Sequence, residues 1–267
     1  MCCVSNVGLP LVAGLAVALG AFGFASLQPE PSQPASAGCS SGTTATTGGC
    51  CGGTNTASAD CCGGCEDVAK NPADDPQPEA GSAKVGEAAP DFALIDLNGD
   101  RHQLSEYLEQ GKIVVLEWFN PECPFVVKQH ERLTVMADTY ASVVEMTTAV
   151  DADEPGVVWL AINSGREGHA TADHDFNAEA AEKWELEYPV LMDPTGIVGR
   201  AYSAKTTPHM YVISAEGVLV YAGAIDNNPS AREAGDINYV IQAVQQLTAG
   251  ETITDAETRP YGCSVKY

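Results

Sequence analysis

Basic residues are scarce. Thirteen Lys and Arg stand against 36 Asp and Glu, giving a formal net charge of −23. A chain this acidic is repelled by phosphate backbones and anionic headgroups, which argues against nucleic acid and anionic membrane surfaces as partners. It favours solubility, including in a salty medium. Cysteine is scarce where a disulfide scaffold would need it. Of the 10 cysteines, all but Cys123 and Cys263 fall in the first 65 residues. Reading a high cysteine count as a disulfide-stapled fold therefore does not apply to the folded part. Large apolar residues are scarce across residues 28–83, which are rich in Pro, Ser, Gly, Thr and Ala. Such a stretch cannot bury enough surface to offset its conformational entropy and reads as a disordered linker. Beyond a Cys-Cys-Gly-Gly at residues 50–53 that recurs at 61–64, the chain has no internal repeat.

What is present divides the chain in three. Residues 8–27 are apolar and uncharged, close to the roughly 20 residues needed to span a bilayer. They also fit the apolar core of a secretory signal. The absence of Lys and Arg before them weakens both readings. Ala35-Ser36-Ala37 fits a small-residue cleavage site, and Ser36-Ala37-Gly38-Cys39 a lipoprotein cleavage box in which Ser36 replaces the usual Leu. Signal or membrane anchor, residues 1–27 place the folded part outside the cytoplasm: secreted, periplasmic or held at the outer face of a membrane. In the linker, Cys39, Cys50, Cys51, Cys61, Cys62 and Cys65 either form a spacer that oxidises or bind a soft metal as thiolates. No histidine is near them, and adjacent Cys-Cys pairs lack the Cys-x2-Cys spacing of zinc sites. Residues 84–267 are expected to form one domain, at about 180 residues enough for a single core.

Apolar periodicity predicts its elements. Strands are expected at 92–97, 113–119, 157–163, 188–192, 210–214 and 218–224. The last two are joined by an Ala215-Glu216-Gly217 turn, and Asn98-Gly99 marks another turn. Helices are expected at 105–110, 178–184 and 197–202. Another is expected after Cys123, with Val126, Leu133, Met136, Ala137 and Tyr140 on one face, and a last one through Ile237, Val240, Ile241, Val244 and Leu247. Residues 164–176 read as a polar loop. Alternating strands and helices followed by a hairpin and a final helix indicate an α/β fold around a mixed sheet.

The chain is organised around Ile113-Val114-Val115-Leu116-Glu117-Trp118-Phe119-Asn120-Pro121-Glu122-Cys123-Pro124-Phe125-Val126-Val127. A β-branched and aromatic run reads as a buried strand. Pro124 suits a first helical position, which puts Cys123 at a helix N-terminus, where unpaired N–H groups favour a thiolate. The alternative is a buried, inert cysteine. Glu117 is a lone carboxylate inside the strand, costly there unless paired or neutral. A raised pKa would let it move protons for the thiol. Pro208, after Thr207 and just before a strand, reads as a strand start or a cis turn. Cys263 lies in a C-terminal tail expected to be mobile. His102, His130, His169 and His174 are isolated, and His209, next to Pro208, either approaches the site or sits in the core.

Several motifs together resemble the thioredoxin-like superfamily, and within it the redoxins of the alkyl hydroperoxide reductase and thiol-specific antioxidant family. They are Gly-x-x-Ala-Pro-Asp-Phe over residues 86–92, the stretch from Leu116 to Val126, and Tyr188-Pro189-Val190-Leu191-Met192-Asp193-Pro194. Thr206-Thr207-Pro208 and Gly217-x-Leu219-Val220-Tyr221-x-Gly223 complete the set. The resemblance covers about residues 84–267. It implies a thioredoxin-like three-layer fold, with a central mixed sheet flanked by helices. It implies Cys123 as the attacking cysteine, Glu117 as the buried acid and Pro208 as the cis-proline beside the sulfur.

Departures narrow it. Val126 stands where a Cys-x-x-Cys dithiol would have its second cysteine, so that mechanism is absent. Asn120 stands where peroxiredoxins carry threonine, and no arginine stands near residues 196–197, with Arg200 about a turn further on; both weaken a peroxidase mechanism. The expectation is a thiol-based antioxidant oxidoreductase without a cofactor, in which Cys123 attacks a peroxide or a protein disulfide. Cys263 would resolve the intermediate, and a thiol protein or small thiol would donate electrons. The alternative is a non-catalytic binding module with a metal-binding linker and a structural Cys123–Cys263 bridge.

Overall fold

A computed structural model describes residues 75–148 and 156–267. The expectations for residues 1–27 and for the linker cysteines lie outside the described residues. Among those described, no helix is long and apolar enough to cross a membrane.

Seven strands form one sheet: β1 (Ala93–Asp96), β2 (Arg101–Gln103), β3 (Ile113–Trp118), β4 (Val157–Asn163), β5 (Val190–Met192), β7 (Met210–Ile213) and β8 (Leu219–Gly223). Their order is β2-β1-β5-β4-β3-β7-β8. β3, β4 and β5 run parallel, and both flanks are antiparallel, so the sheet is mixed as expected. β6 (Thr206–Thr207) and β9 (Cys263–Ser264) form a separate two-stranded ladder. The helices are α1 (Leu104–Glu109), α2 (Pro124–Val127), α3 (Val135–Thr147), α4 (His174–Lys183), α5 (Ile197–Ala201) and α6 (Tyr239–Thr248).

The alternation of β3 explains the layers. Val115 and Phe119 point into a cluster with Met136 and Val143 of α3 and Val240 and Val244 of α6. Val114, Leu116 and Trp118 point into a second cluster with Leu104 of α1 and Val198 and Ala201 of α5. A strand buried on both faces must be apolar throughout, which is why 113–119 shows no polar alternation apart from Glu117. The three layers of a thioredoxin-like fold follow.

Three expectations need correction. The helix after Cys123 is not continuous: α2 gives way to a π-helical turn, Lys128–Arg132, and Thr134 adopts φ 52° before α3 starts. The wide turn aims Lys128, Gln129 and His130 inward, all buried, while Leu133 is half-buried and Ala137 exposed. The polar loop 164–176 contains a 3-10 turn, Ala170–Ala172, and the start of α4, because the Asp173 side chain accepts from the Phe176 N–H and caps the helix four residues before the expected start. The tail is not mobile: β9 pairs with β6, and Tyr267 Oη donates to the Ala204 carbonyl at 2.8 Å. Residues 75–83 also lie on the domain, with Asp75 on Arg101 at 2.7 Å and the Gly81 and Ala83 N–H groups on the carbonyls of Arg200 and Ala201.

Candidate active site

β3 ends beside the loop that carries Pro208. The Trp118 N–H donates to the His209 carbonyl at 2.9 Å, and the Phe119 N–H to the Ile162 carbonyl at 2.8 Å. The chain then turns. The Asn120 side-chain oxygen accepts from the Glu122 N–H at 2.9 Å and its carbonyl from the Cys123 N–H at 3.0 Å. This turn delivers Cys123 as the N-cap of α2, with Pro124 at the first helical position, as the residue order predicted. Asn120 thus shapes the turn.

Cys123 is 1% exposed. Its thiol donates to the Thr207 carbonyl at 2.8 Å. The Thr207–Pro208 peptide bond is cis. Thr207 is the register partner of Cys263 across the β6–β9 ladder, so the ladder brings the two cysteines to one place. Both are free thiols. Cys263 is half-buried beside Cys123: burial first, then its hydrogen bond and electrostatic interaction with Cys123, push the Cys263 pKa up to about 11 against a smaller pull from Lys266. Gly262 makes the approach possible. Its φ is 143°, and a Cβ there would sit 2.1 Å from the Thr207 carbonyl oxygen.

Glu117 is fully buried on the face of β3 that also carries Val115 and Phe119. His130 Nε2 donates to one carboxylate oxygen at 2.7 Å; Trp159 Nε1 and Tyr188 Oη donate to the other, each at 3.3 Å. Cys123 is not among its partners. Burial first, and then the Glu117 charge, hold the Tyr188 pKa well above its ordinary value, so it remains a donor. The His130 ring stacks on Trp184 at 5.0 Å and 12°.

His209 turns away from the sulfur. Its Nδ1 accepts from the Lys205 N–H at 3.3 Å and lies 2.9 Å from Tyr211 Oη, which donates to the Tyr202 carbonyl at 2.8 Å. Burial, with a smaller push from Lys205, lowers its pKa to about 3 and keeps it neutral. Arg200 is also elsewhere, donating to the Thr195 carbonyl at 2.7 Å and lying 4.7 Å from the Tyr267 ring centroid.

The fold thus assembles Cys123, Cys263 and the Thr207-Pro208 loop, and holds Glu117 in a cluster of its own. Sequence reasoning missed His130 as the partner of Glu117, and also a polar group around Tyr261. The missed signal for His130 was a histidine seven residues after Cys123 within the polar run Lys128-Gln129-His130-Glu131-Arg132. Among the described residues, no group of three His, Cys, Asp or Glu side chains could hold a metal ion.

The chain is similar to several thiol-disulfide oxidoreductases. Thiol-disulfide oxidoreductase ResA of Geobacillus kaustophilus is 27% identical over 139 residues, 52% of this chain and 68% of that protein. ResA of Geobacillus thermodenitrificans is 28% identical over 140 residues. Among solved structures, an uncharacterized conserved protein from Geobacillus kaustophilus superposes with a TM-score of 0.57 at 26% identity, over 71% of this chain and 95% of that one. A hypothetical protein from Sinorhizobium meliloti superposes with a TM-score of 0.58 at 24% identity, over 71% and 98%. The AhpC/TSA family model matches residues 85–222, a span that runs from the Gly86 motif through β3, Cys123 and the cis-Pro208 loop to β8, and the chain belongs to that family.

Proposed function

We propose that the chain is a thiol-disulfide oxidoreductase whose redox pair is Cys123 and Cys263. The observation that carries this is the β6–β9 register, which sets Cys263 opposite Thr207 while the Thr207 carbonyl touches the Cys123 sulfur. Two-electron exchange then needs no second cysteine at position 126. The Cys123 thiolate attacks a substrate disulfide, forming a mixed disulfide and expelling one substrate thiolate. Cys263 loses its proton and attacks the Cys123 sulfur. A Cys123–Cys263 disulfide forms and the second substrate thiol leaves. An external dithiol or two small thiols then reduce the pair. Cys263, its pKa pushed up to about 11, carries its proton at neutral pH and must lose it before it attacks.

Two observations favour a disulfide over a peroxide as the electrophile. Asn120 is spent on the turn, and Arg200 is committed to Thr195 and Tyr267. In this reading Glu117 is the buried acid of the site, on the face of β3 that packs with Cys123 and held by His130, Trp159 and Tyr188. The apolar segment 8–27 supports an extracytoplasmic setting, where disulfides persist.

Single-turnover oxidation tests the reading. Reduced protein is mixed with hydroxyethyl disulfide or with hydrogen peroxide, and products are mapped by mass. The disulfide is expected to give two released thiols per Cys123–Cys263 bond and to do so faster than peroxide, with Cys123→Ser abolishing the bond. A faster peroxide reaction that leaves Cys123 as a sulfenic acid overturns the disulfide assignment.

A further inference from the structure

Exchange chemistry leaves one buried polar group unused. Lys128 and Gln129 are fully buried and Asp226 nearly so, and they gather around Tyr261, two residues before Cys263. Tyr261 Oη donates to Asp226 Oδ1 at 2.5 Å, and Gln129 Nε2 donates to Tyr261 Oη at 3.1 Å. The Lys128 ammonium lies 5.3 Å from the Tyr261 ring centroid and 3.9 Å from Asp226 Oδ2. The Phe125 ring meets the same tyrosine edge-on at 5.8 Å. Burying these groups is costly unless they satisfy one another. The arrangement ties the C-terminal segment, through the Tyr261 side chain, to α2 at Phe125 and to the π-helical turn at Lys128 and Gln129.

The same segment covers the sulfur. Tyr261 and Cys263 pack on the cluster that contains Cys123. β9 fills the edge of β6, whose Thr207 carbonyl touches the Cys123 thiol. Cys123 is 1% exposed, whereas Cys263 is partly accessible. In this state Cys263 can reach Cys123, but a bulky disulfide cannot.

We propose that residues 258–267 form a latched strap, with Tyr261 on Asp226 as the latch, that must lift before a reagent of peptide size reaches Cys123. The proposal rests on the reading of Cys123 as the attacking sulfur. The strap is then a specificity device. Closed, it presents its own cysteine to Cys123; open, it admits an external disulfide to the same place. A two-residue ladder, the Tyr261 latch and side-chain bonds at Thr258 and Tyr267 suit local opening, which takes far less free energy than unfolding the domain.

Pulse labelling with a bulky maleimide, read at the Cys123 peptide by mass, tests this on the full chain carrying Cys263→Ser. Labelling is expected to be slow. Adding Tyr261→Phe, which keeps the ring on Phe125 and Lys128 but removes the hydroxyl, is expected to raise the rate about tenfold. A chain ending at Arg259 should label faster still. Equal rates in all three, or parental labelling as fast as in an unfolded chain, overturns the strap. If the shortened chain loses its cooperative urea transition, Tyr261→Phe decides alone. Labelling involves no redox partner, so its failure leaves the Cys123–Cys263 exchange standing. Failure of that exchange likewise leaves the labelling result standing.

Discussion

β3 delivers Cys123 from between two hydrogen-bonded neighbours, β4 on one side and β7 on the other. β9 delivers Cys263 from a two-residue ladder against β6. The first region is buried on both faces and shares the global stability of the domain, typically about 5–15 kcal/mol. The second is held by a few backbone bonds, each worth about 1 kcal/mol net, by the Tyr261 latch and by side-chain bonds at Thr258 and Tyr267. One sulfur is therefore fixed and the other is carried on a part that opens by itself. The difference teaches how two cysteines separated by 139 intervening residues can pair without making Cys123 permanently accessible.

The largest expected effect is on the fixed side. His130→Ala leaves the buried Glu117 carboxylate with the indole and phenol donors alone. Removing one partner of a buried pair costs about 3–5 kcal/mol, so the urea midpoint should fall accordingly. A change within 1 kcal/mol would show that Glu117 does not depend on His130.

Next comes His209, at the junction of both regions. Its folded pKa is about 3, below the ordinary 6.5. Between these values the unfolded chain binds a proton that the folded chain refuses. The His209 contribution is therefore complete above pH 6.5 and is lost as pH falls toward 3. By pH 4 the loss should reach about 3 kcal/mol. Urea unfolding across this range should show an acid limb that His209→Gln flattens.

Gly262→Ala sharpens the contrast. Its Cβ would collide with the Thr207 carbonyl, so β9 cannot seat. Hydrogen exchange at the Val265 amide, which donates to the Lys205 carbonyl at 3.2 Å, should lose protection, while global stability moves by about 1 kcal/mol or less. A global loss as large as that of His130→Ala would erase the distinction between the regions. The smallest effect belongs to Cys263. Its raised pKa adds stability below pH 9 that is lost as pH rises toward 11. Solvent screening keeps the decline slight, and Cys263→Ser should remove it.

The fixed region was legible in the sequence because burial on two faces leaves an apolar run, and α6 and the β7–β8 hairpin were legible by period and turn. Glu117 announced itself as a charge in such a run. The latched region left no such trace. Lys128, Gln129 and His130 break helical period because their partners are tertiary: Glu117 lies 13 residues from His130, and Tyr261 lies 132 from Gln129. A tail held by backbone bonds and by Tyr261 and Tyr267 has no apolar rhythm, so Cys263 read as mobile. The position of Pro208 was readable from local chemistry, but the pairing of Thr206 and Thr207 before it with the tail was not.

The central claim is that Cys123 and Cys263 are one redox couple. Mass mapping of the full chain after stepwise oxidation by glutathione disulfide, with each step reversed by dithiothreitol, tests it most directly. The account predicts a Cys123–Cys263 linked peptide that appears and disappears reversibly. Complete oxidation that leaves Cys123 alkylatable, or joined to any other cysteine, would contradict it.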